Sequence, residues 1–358
     1  MKKNVCLTGM AFLLSTLAFN VQGKTGIVFK GADEIETLKN STLCVVVLEE
    51  NQKYEDKLTK AHRPQLVKAY QDNIKLVNDN IKAMAEKYLT MTKGFEYKTM
   101  SEIIEMPQAT REGYSFLAWD RSSQFATGAP TPFAFDFFAT NPEELKGMRD
   151  DYMDLMQFDC ADPKYHGEDD YRKADIIVKG RKKISETIFE ESFDMVIPTQ
   201  GSAALCFMGL QKQFEAAQAD DKKLTKDDVR QAELKQVATA RTKMLLICKD
   251  NLDRNITEVK IGAVFKYKFK VITRQEFDNA ILNKDANSCL LVVYPVDKTQ
   301  GGFKPIVNYE HRIVDAETDD ILLSVTPPVS ATGMPVSYAK VNDKQFKDIV
   351  KAEDDITK

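Results

Sequence analysis

Asp159, Cys160, Asp162, His166, Glu168, Asp169 and Asp170 crowd into one short stretch. Carboxylates at this density can bind calcium, and the histidine and cysteine would suit zinc. The spacing fits no EF-hand loop, and no glycine falls at the sixth position such a loop needs. The expectation is therefore a solvated acidic loop after a helix. Asp159, Asp162, His166, Glu168 and Asp170 are the residues that would hold an ion.

Other chemistry is sparse. The only histidines are His62, His166 and His311, and no HExxH, CxxC, GxSxG, Walker or GxGxxG motif is present. Nothing supports a metalloprotease, a thioredoxin-type oxidoreductase or a P-loop enzyme. No catalytic residue and no cofactor is assigned. Met195 to Ser202 reads as strand, glycine turn and helix start. Such a start can bind an anion through its outward N–H groups, but Thr199 or Ser202 as the helix cap is the plainer reading. Trp119-Asp120-Arg121 and Asp297-Lys298 read as charged strand exits, where open α/β sheets bind ligands. A solvated loop is the expectation for both.

The elements that must position these residues repeat. Thr42 to Asn51 (TLCVVVLEEN) parallels Thr242 to Asn251 (TKMLLICKDN), and Phe95 to Ser101 parallels Tyr267 to Thr273. Tyr114 to Ala118 parallels Asn287 to Leu291, and Thr131-Pro132-Phe133 parallels Lys304-Pro305-Ile306. Four apolar blocks in one order predict an internal duplication. The fold class is α/β: two related strand-helix-strand-helix-strand-strand units with a helical middle insertion. The expected strands are Leu43 to Leu48, Phe95 to Thr99, Tyr114 to Trp119 and Phe133 to Phe138 in unit one. Unit two should contribute Met244 to Cys248, Tyr267 to Ile272, Cys289 to Tyr294, Ile306 to Val314 and Ile321 to Val325. A last strand near Val336 and a helix from Asp343 to about Lys351 follow. The expected division is 1–23 a signal peptide, 24–140 the first unit, 141–224 a helical middle segment and 225–358 the second unit.

The units differ in length. Between its first two strands, unit one carries 28 more residues than unit two. That segment has an apolar stripe, Val67, Tyr70, Ile74, Val77, Ile81, Met84 and Tyr88, on a predicted helix over 64–89. Spacings of 3 and 4 over three heptads are an a/d pattern. Burial on the chain's own sheet or middle helices is the expectation. The alternative is a coiled coil with another chain, as self-association or with an envelope protein. The neutral flanks Gln71, Asn73, Asn78 and Asn80 specify no charged partner.

Lys2 and Lys3, then the apolar run Val5 to Phe19, then Val21-Gln22-Gly23, read as an export signal cleaved before Lys24. No second long apolar run predicts a membrane span. Cys6 lies at the start of the apolar run, not after it where a lipoprotein cysteine stands, so a lipoprotein is not expected. The mature chain is expected in the periplasm or outside the cell. Fifty basic and 54 acidic residues are interspersed, so no basic stripe invites nucleic acid or an anionic membrane. Cys44, Cys160, Cys206, Cys248 and Cys289 form an odd set in a long chain, which excludes a disulfide-dense scaffold. They are expected to be buried small hydrophobes; if one bridge forms, Cys160–Cys206 is the pair left by elimination.

His311 to Ser324 (HRIVDAETDDILLS) resembles a hairpin of bacterial envelope proteins of the CsgG and penicillin-binding-protein-activator type. Their pattern is a strand, then V-D-x-x-T-G, then a second strand. The resemblance implies small α/β domains that scaffold or regulate envelope machinery without catalysis. This chain has Asp319 where the pattern places glycine. The expected function is thus an exported, non-enzymatic, envelope-associated binding or scaffolding protein. The alternative is a ligand-binding protein or hydrolase using the cleft between the units.

Overall fold

The computed structural model describes residues 32–111, 113–123, 170–178, 182–188, 198–218, 226–297, 307–325 and 340–358. The described chain forms two units, residues 32–214 and residues 215–358.

The first unit begins with α1 (Ala32–Asn40) and β1 (Thr42–Val47). Two helices follow, α2 (Gln52–Lys60) and α3 (Pro64–Tyr88), then β2 (Phe95–Thr99), α4 (Met100–Glu105), α5 (Gln108–Arg111) and β3 (Tyr114–Ser123). It closes with β4 (Asp170–Val178), β5 (Lys182–Ile188) and α6 (Gln200–Gln218). The sheet order is β2-β1-β3-β4-β5. β1 lies parallel between β2 and β3, while β4 and β5 run antiparallel. A strand with parallel neighbours on both sides and helices on both faces must be apolar throughout. Leu43, Cys44, Val45 and Val46 are each fully buried.

The second unit repeats this order. It runs α7 (Lys226–Thr242), β6 (Met244–Cys248), α8 (Glu258–Val264), β7 (Phe269–Ile272), α9 (Arg274–Leu282), β8 (Ser288–Asp297), β9 (Val307–Asp315), β10 (Ile321–Val325) and α10 (Asp343–Thr357). Its sheet order is β7-β6-β8-β9-β10, with β6 parallel to β7 and β8 and the last two strands antiparallel. Alternate residues Cys289, Leu291 and Val293 of β8 join Leu245, Ile247 and Ile313 on one face. Val237 and Ala240 of α7, Ile261 of α8, and Phe346 and Ile349 of α10 cover that face. Phe265 sits at the junction, ring to ring with Tyr267, Phe269 and Phe346.

Strand register corrects the sequence alignment of the units. Phe95 pairs with Leu43 as Phe269 pairs with Leu245, and Tyr114 pairs with Thr42 as Ser288 pairs with Met244. By position in the sheets, Thr42 therefore matches Met244, not Thr242; Phe95 matches Phe269, not Tyr267; and Tyr114 matches Ser288, not Asn287. The local chemistry agrees. Thr99 and Thr273 each open a helix with a full capping box, to Glu102 and Glu276. Asn51 and Asp253 each accept from the backbone N–H two residues on. The extra length of unit one stays at 28 residues, as 52 positions separate Leu43 from Phe95 and 24 separate Leu245 from Phe269.

The described parts of the middle segment join the first unit rather than form a separate helical insertion. β4 and β5 pair onto β3 in the first sheet, and α6 belongs mainly to the first unit. By sheet position β4 is the counterpart of β9. The expected strands at Phe133 to Phe138 and near Val336, and the expected signal at 1–23, lie outside the described residues.

Candidate functional site

Open α/β sheets offer ligand sites beyond the carboxyl ends of their parallel strands, where the connections diverge. In the first unit that place is the end of β1. Glu49, just past the strand, accepts from both the N–H (3.1 Å) and the Oγ (2.9 Å) of Ser101. Asn51 caps α2 by accepting from the N–H groups of Lys53 and Tyr54. Its own N–H donates to the Tyr70 hydroxyl at 2.9 Å. Asn78 accepts from the Leu48 N–H and donates to the Leu48 carbonyl, both at 2.9 Å. Two of these groups come from α3. The helix is thus bolted across the strand end that a ligand would otherwise use.

The apolar stripe explains how α3 reaches that position. Tyr70, Ile74, Val77, Ile81, Met84 and Tyr88 are buried and Val67 is half-buried. The chain itself covers the face offered by the sequence as a partner-helix seam, so a coiled coil through that face would have to unpack the unit. Three of the neutral flanks, Gln71, Asn78 and Asn80, turn out to be internal ties. Besides Asn78, Asn80 donates to the Pro198 carbonyl at 3.0 Å, and Gln71 donates to Glu55 at 3.1 Å. The helix starts at Pro64, as the spacing predicts, and ends at Tyr88.

In the second unit the end of β6 is crossed by residues 340–342. The Val341 N–H donates to the Asn251 carbonyl at 2.7 Å, and the Asp253 N–H donates to the Val341 carbonyl at 2.9 Å. Leu252 and Val341 form a parallel bridge, and Lys340 Nζ donates to the Asp250 carbonyl. Beneath this strap Asn251 is 1% exposed, and neither heteroatom of its side-chain amide has a hydrogen-bond partner.

Two buried ionic groupings escaped the sequence reading. On β9, Glu310 receives Nε and Nη2 of Arg312 and the hydroxyl of Ser324 from β10. The Arg312 guanidinium also lies 4.7 Å from the ring centre of Tyr294. Three donors on one carboxylate leave it little capacity as a general base; it rivets β9 to β10. Near the other end, Lys243 Nζ meets Asp315 Oδ2 at 2.6 Å. The other oxygen, Oδ1, accepts from the N–H groups of Glu317 and Thr318, shaping the hairpin turn. Alternation of charge on a strand that is otherwise apolar, as in Glu310-His311-Arg312, was the available signal.

The remaining candidates fall as follows. Asp159, Asp162, His166 and Glu168 lie outside the described residues. Asp170 begins β4 opposite Ser123, inside a strand rather than in a loop. Trp119, Asp120 and Arg121 are likewise inside β3, paired with Ala174, Lys173 and Arg172, not at a strand exit. Asp297 ends β8 opposite Val307. Thr199 caps α6, its hydroxyl accepting from the Ser202 N–H at 3.1 Å, and the Ser202 hydroxyl turns back to the Thr199 carbonyl. The anion reading thus gives way to capping. Cys44 and Cys289 carry free thiols, and burial pushes both up to about 12. Cys206 and Cys248 are also buried, while Cys160 lies outside the described residues. Among the described residues no group of three or more His, Cys, Asp or Glu side chains could hold a metal ion. Among them, too, no helix is long and apolar enough to cross a membrane.

Fold and strand ends together define a mixed α/β protein of two five-stranded units. No protein-family model, no curated protein and no solved structure matches the chain.

Proposed function

We propose that this is an exported, envelope-associated binding or scaffolding protein without catalytic activity, built from a duplicated α/β unit. The observation that carries the non-catalytic reading is the end of β1. Glu49, Asn51, Tyr70 and Asn78 are all engaged by the chain itself, and a catalytic group must be presented to a substrate. The duplication rests on the shared element order, the common register and the paired capping boxes. The envelope reading rests on the N-terminal signal pattern and on the β9–β10 hairpin. Asp319, where the CsgG-type pattern has glycine, takes φ 58°. That is the left-handed conformation glycine adopts most readily, so a glycine would also fit this position.

The test is expression with the native N-terminus in a bacterial host. Osmotic shock should release a chain beginning at Lys24, and in-cell crosslinking should join it to envelope proteins. A chain that stays in the cytoplasm with Met1 intact would overturn the assignment. Turnover of ester, amide or phosphoester substrates by the purified mature chain would overturn the non-catalytic half.

A further inference from the structure

Glu353 is a carboxylate set inside the second unit. It is 1% exposed and lies on the stripe of α10 that also buries Phe346 and Ile349. The groups around it come from several elements. From α7, Arg241 brings Nε to 3.6 Å from Oε2. That is too long for a hydrogen bond, and neither atom has another partner. Arg241 is divided further: Nη2 lies 4.0 Å from Asp354, and its guanidinium sits 5.3 Å from the Tyr267 ring centre. From the approach to β7, the Tyr267 hydroxyl points toward the carboxyl. From the sheet comes Cys289 of β8, which the Lys243–Asp315 pair also reaches. β10 brings no charged side chain, and the charged residues of α8, Glu258 and Lys260, are exposed. One partly exposed arginine therefore faces two acids, and the buried acid is not hydrogen-bonded to it.

We propose that Glu353 makes the C-terminal helix an acid-strengthened clasp: α10 grips α7 and β10 with the carboxyl protonated and loosens when it ionises. An ionised carboxylate taken from water with one oxygen left unpartnered costs free energy that a neutral carboxyl avoids. Burial accordingly pushes the Glu353 carboxyl above its usual range, with Arg241 and the Tyr267 hydroxyl pulling the other way. An acid raised in the folded state favours docking below its unfolded pKa, and that contribution is lost as pH rises through the folded value. Each unit of elevation changes the docking equilibrium by about tenfold. Lower down, protonation of Asp343, held below its usual range by Lys347, removes a contact at the start of the same helix. The grip is therefore strongest in a mildly acidic window. Loosening would uncover Phe346 and Ile349 together with Val237, Leu322 and Leu323.

Hydrogen exchange of the 343–357 peptides, measured on the full mature chain from pH 5 to 8.5 and corrected for intrinsic rates, tests this. Protection should fall at least about threefold across that range, while peptides from β1 and β6 hold steady. Glu353→Gln should keep the acidic value throughout. Flat protection in the wild type, or the same slope in the variant, overturns the clasp. Should the variant not fold, carbon-detected titration of the Glu353 carboxyl in the wild type decides. A midpoint at or below about 4.3, the ordinary glutamate value, overturns the proposal, and a midpoint above it supports it.

Discussion

Asn78 commits both halves of its amide to one backbone residue, and Leu48, the residue it holds, is 5% exposed. Removing the amide strands an N–H and a carbonyl in the interior. Asn78→Ala should cost about 2–3 kcal/mol, since each abandoned buried group carries a desolvation penalty. Urea denaturation would show it as a lower midpoint at unchanged slope. Asn251 is the opposite case. Its amide is more deeply buried than that of Asn78 and has no partner, so Asn251→Leu removes a penalty rather than a bond. Its melting temperature should equal or exceed that of the wild type, and a fall like that of Asn78→Ala would show that the amide is satisfied in solution. Neither role was legible in the sequence. Asn78 stood as a neutral flank of an a/d stripe, and a flank residue's partner depends on which strand end the helix crosses.

At the scale of elements, three of the described residues other than glycine adopt left-handed backbone: His62, Lys284 and Asp319. His62 and Lys284 close α2 and α9 in the same way. The N–H of Arg63 reaches the Leu58 carbonyl and that of Asp285 the Ala280 carbonyl, while His62 and Lys284 bond to Thr59 and Ile281. This is the Schellman closure, in which glycine is usual. Lys284→Gly should therefore raise stability by about 0.5–1 kcal/mol, read as a higher melting temperature. A decrease would mean that the Lys284 side chain contributes more than its backbone strain costs. The strands and the long helix were legible because periodicity marks burial directly. The alignment of the units slipped for a physical reason. A two-residue shift in a strand keeps every side chain on its own face, so apolar runs at β1 and β6 score alike in either register. At β3 and β8 even a one-residue shift passed, because strands buried on both faces give no alternation to break. Capping boxes and Asx turns, which tolerate no shift, set the register.

For the molecule as a whole, the cysteines offer one probe in each unit. Cys44 is in β1 and Cys289 in β8, and burial raises both thiols to about 12. At pH 8 each should resist a thiol-directed disulfide reagent in the folded protein and react fully in denaturant, because the thiolate is the reactive form. Peptide mapping by mass spectrometry checks this, and labelling of the native chain at either position would show that its unit opens. The two-unit plan was legible, but the boundary between the units was not. Residues 141–224 carry no repeat signal, yet they supply β4, β5 and α6 to the first unit. Their pairing is set by the distant edge of β3, which local pattern does not reveal. That separation has a consequence in time. β3 ends at Ser123 and β4 begins at Asp170, whereas only nine residues part β8 from β9. At ribosomal speed the 46 intervening residues take roughly 2–9 s to make. Through that interval the nascent first sheet has a ten-residue strand with one side unpaired, the kind of edge that recruits stray strands. The second sheet completes its counterpart almost at once. A chaperone that attends this chain during synthesis therefore has most to protect between the emergence of Ser123 and that of Val178.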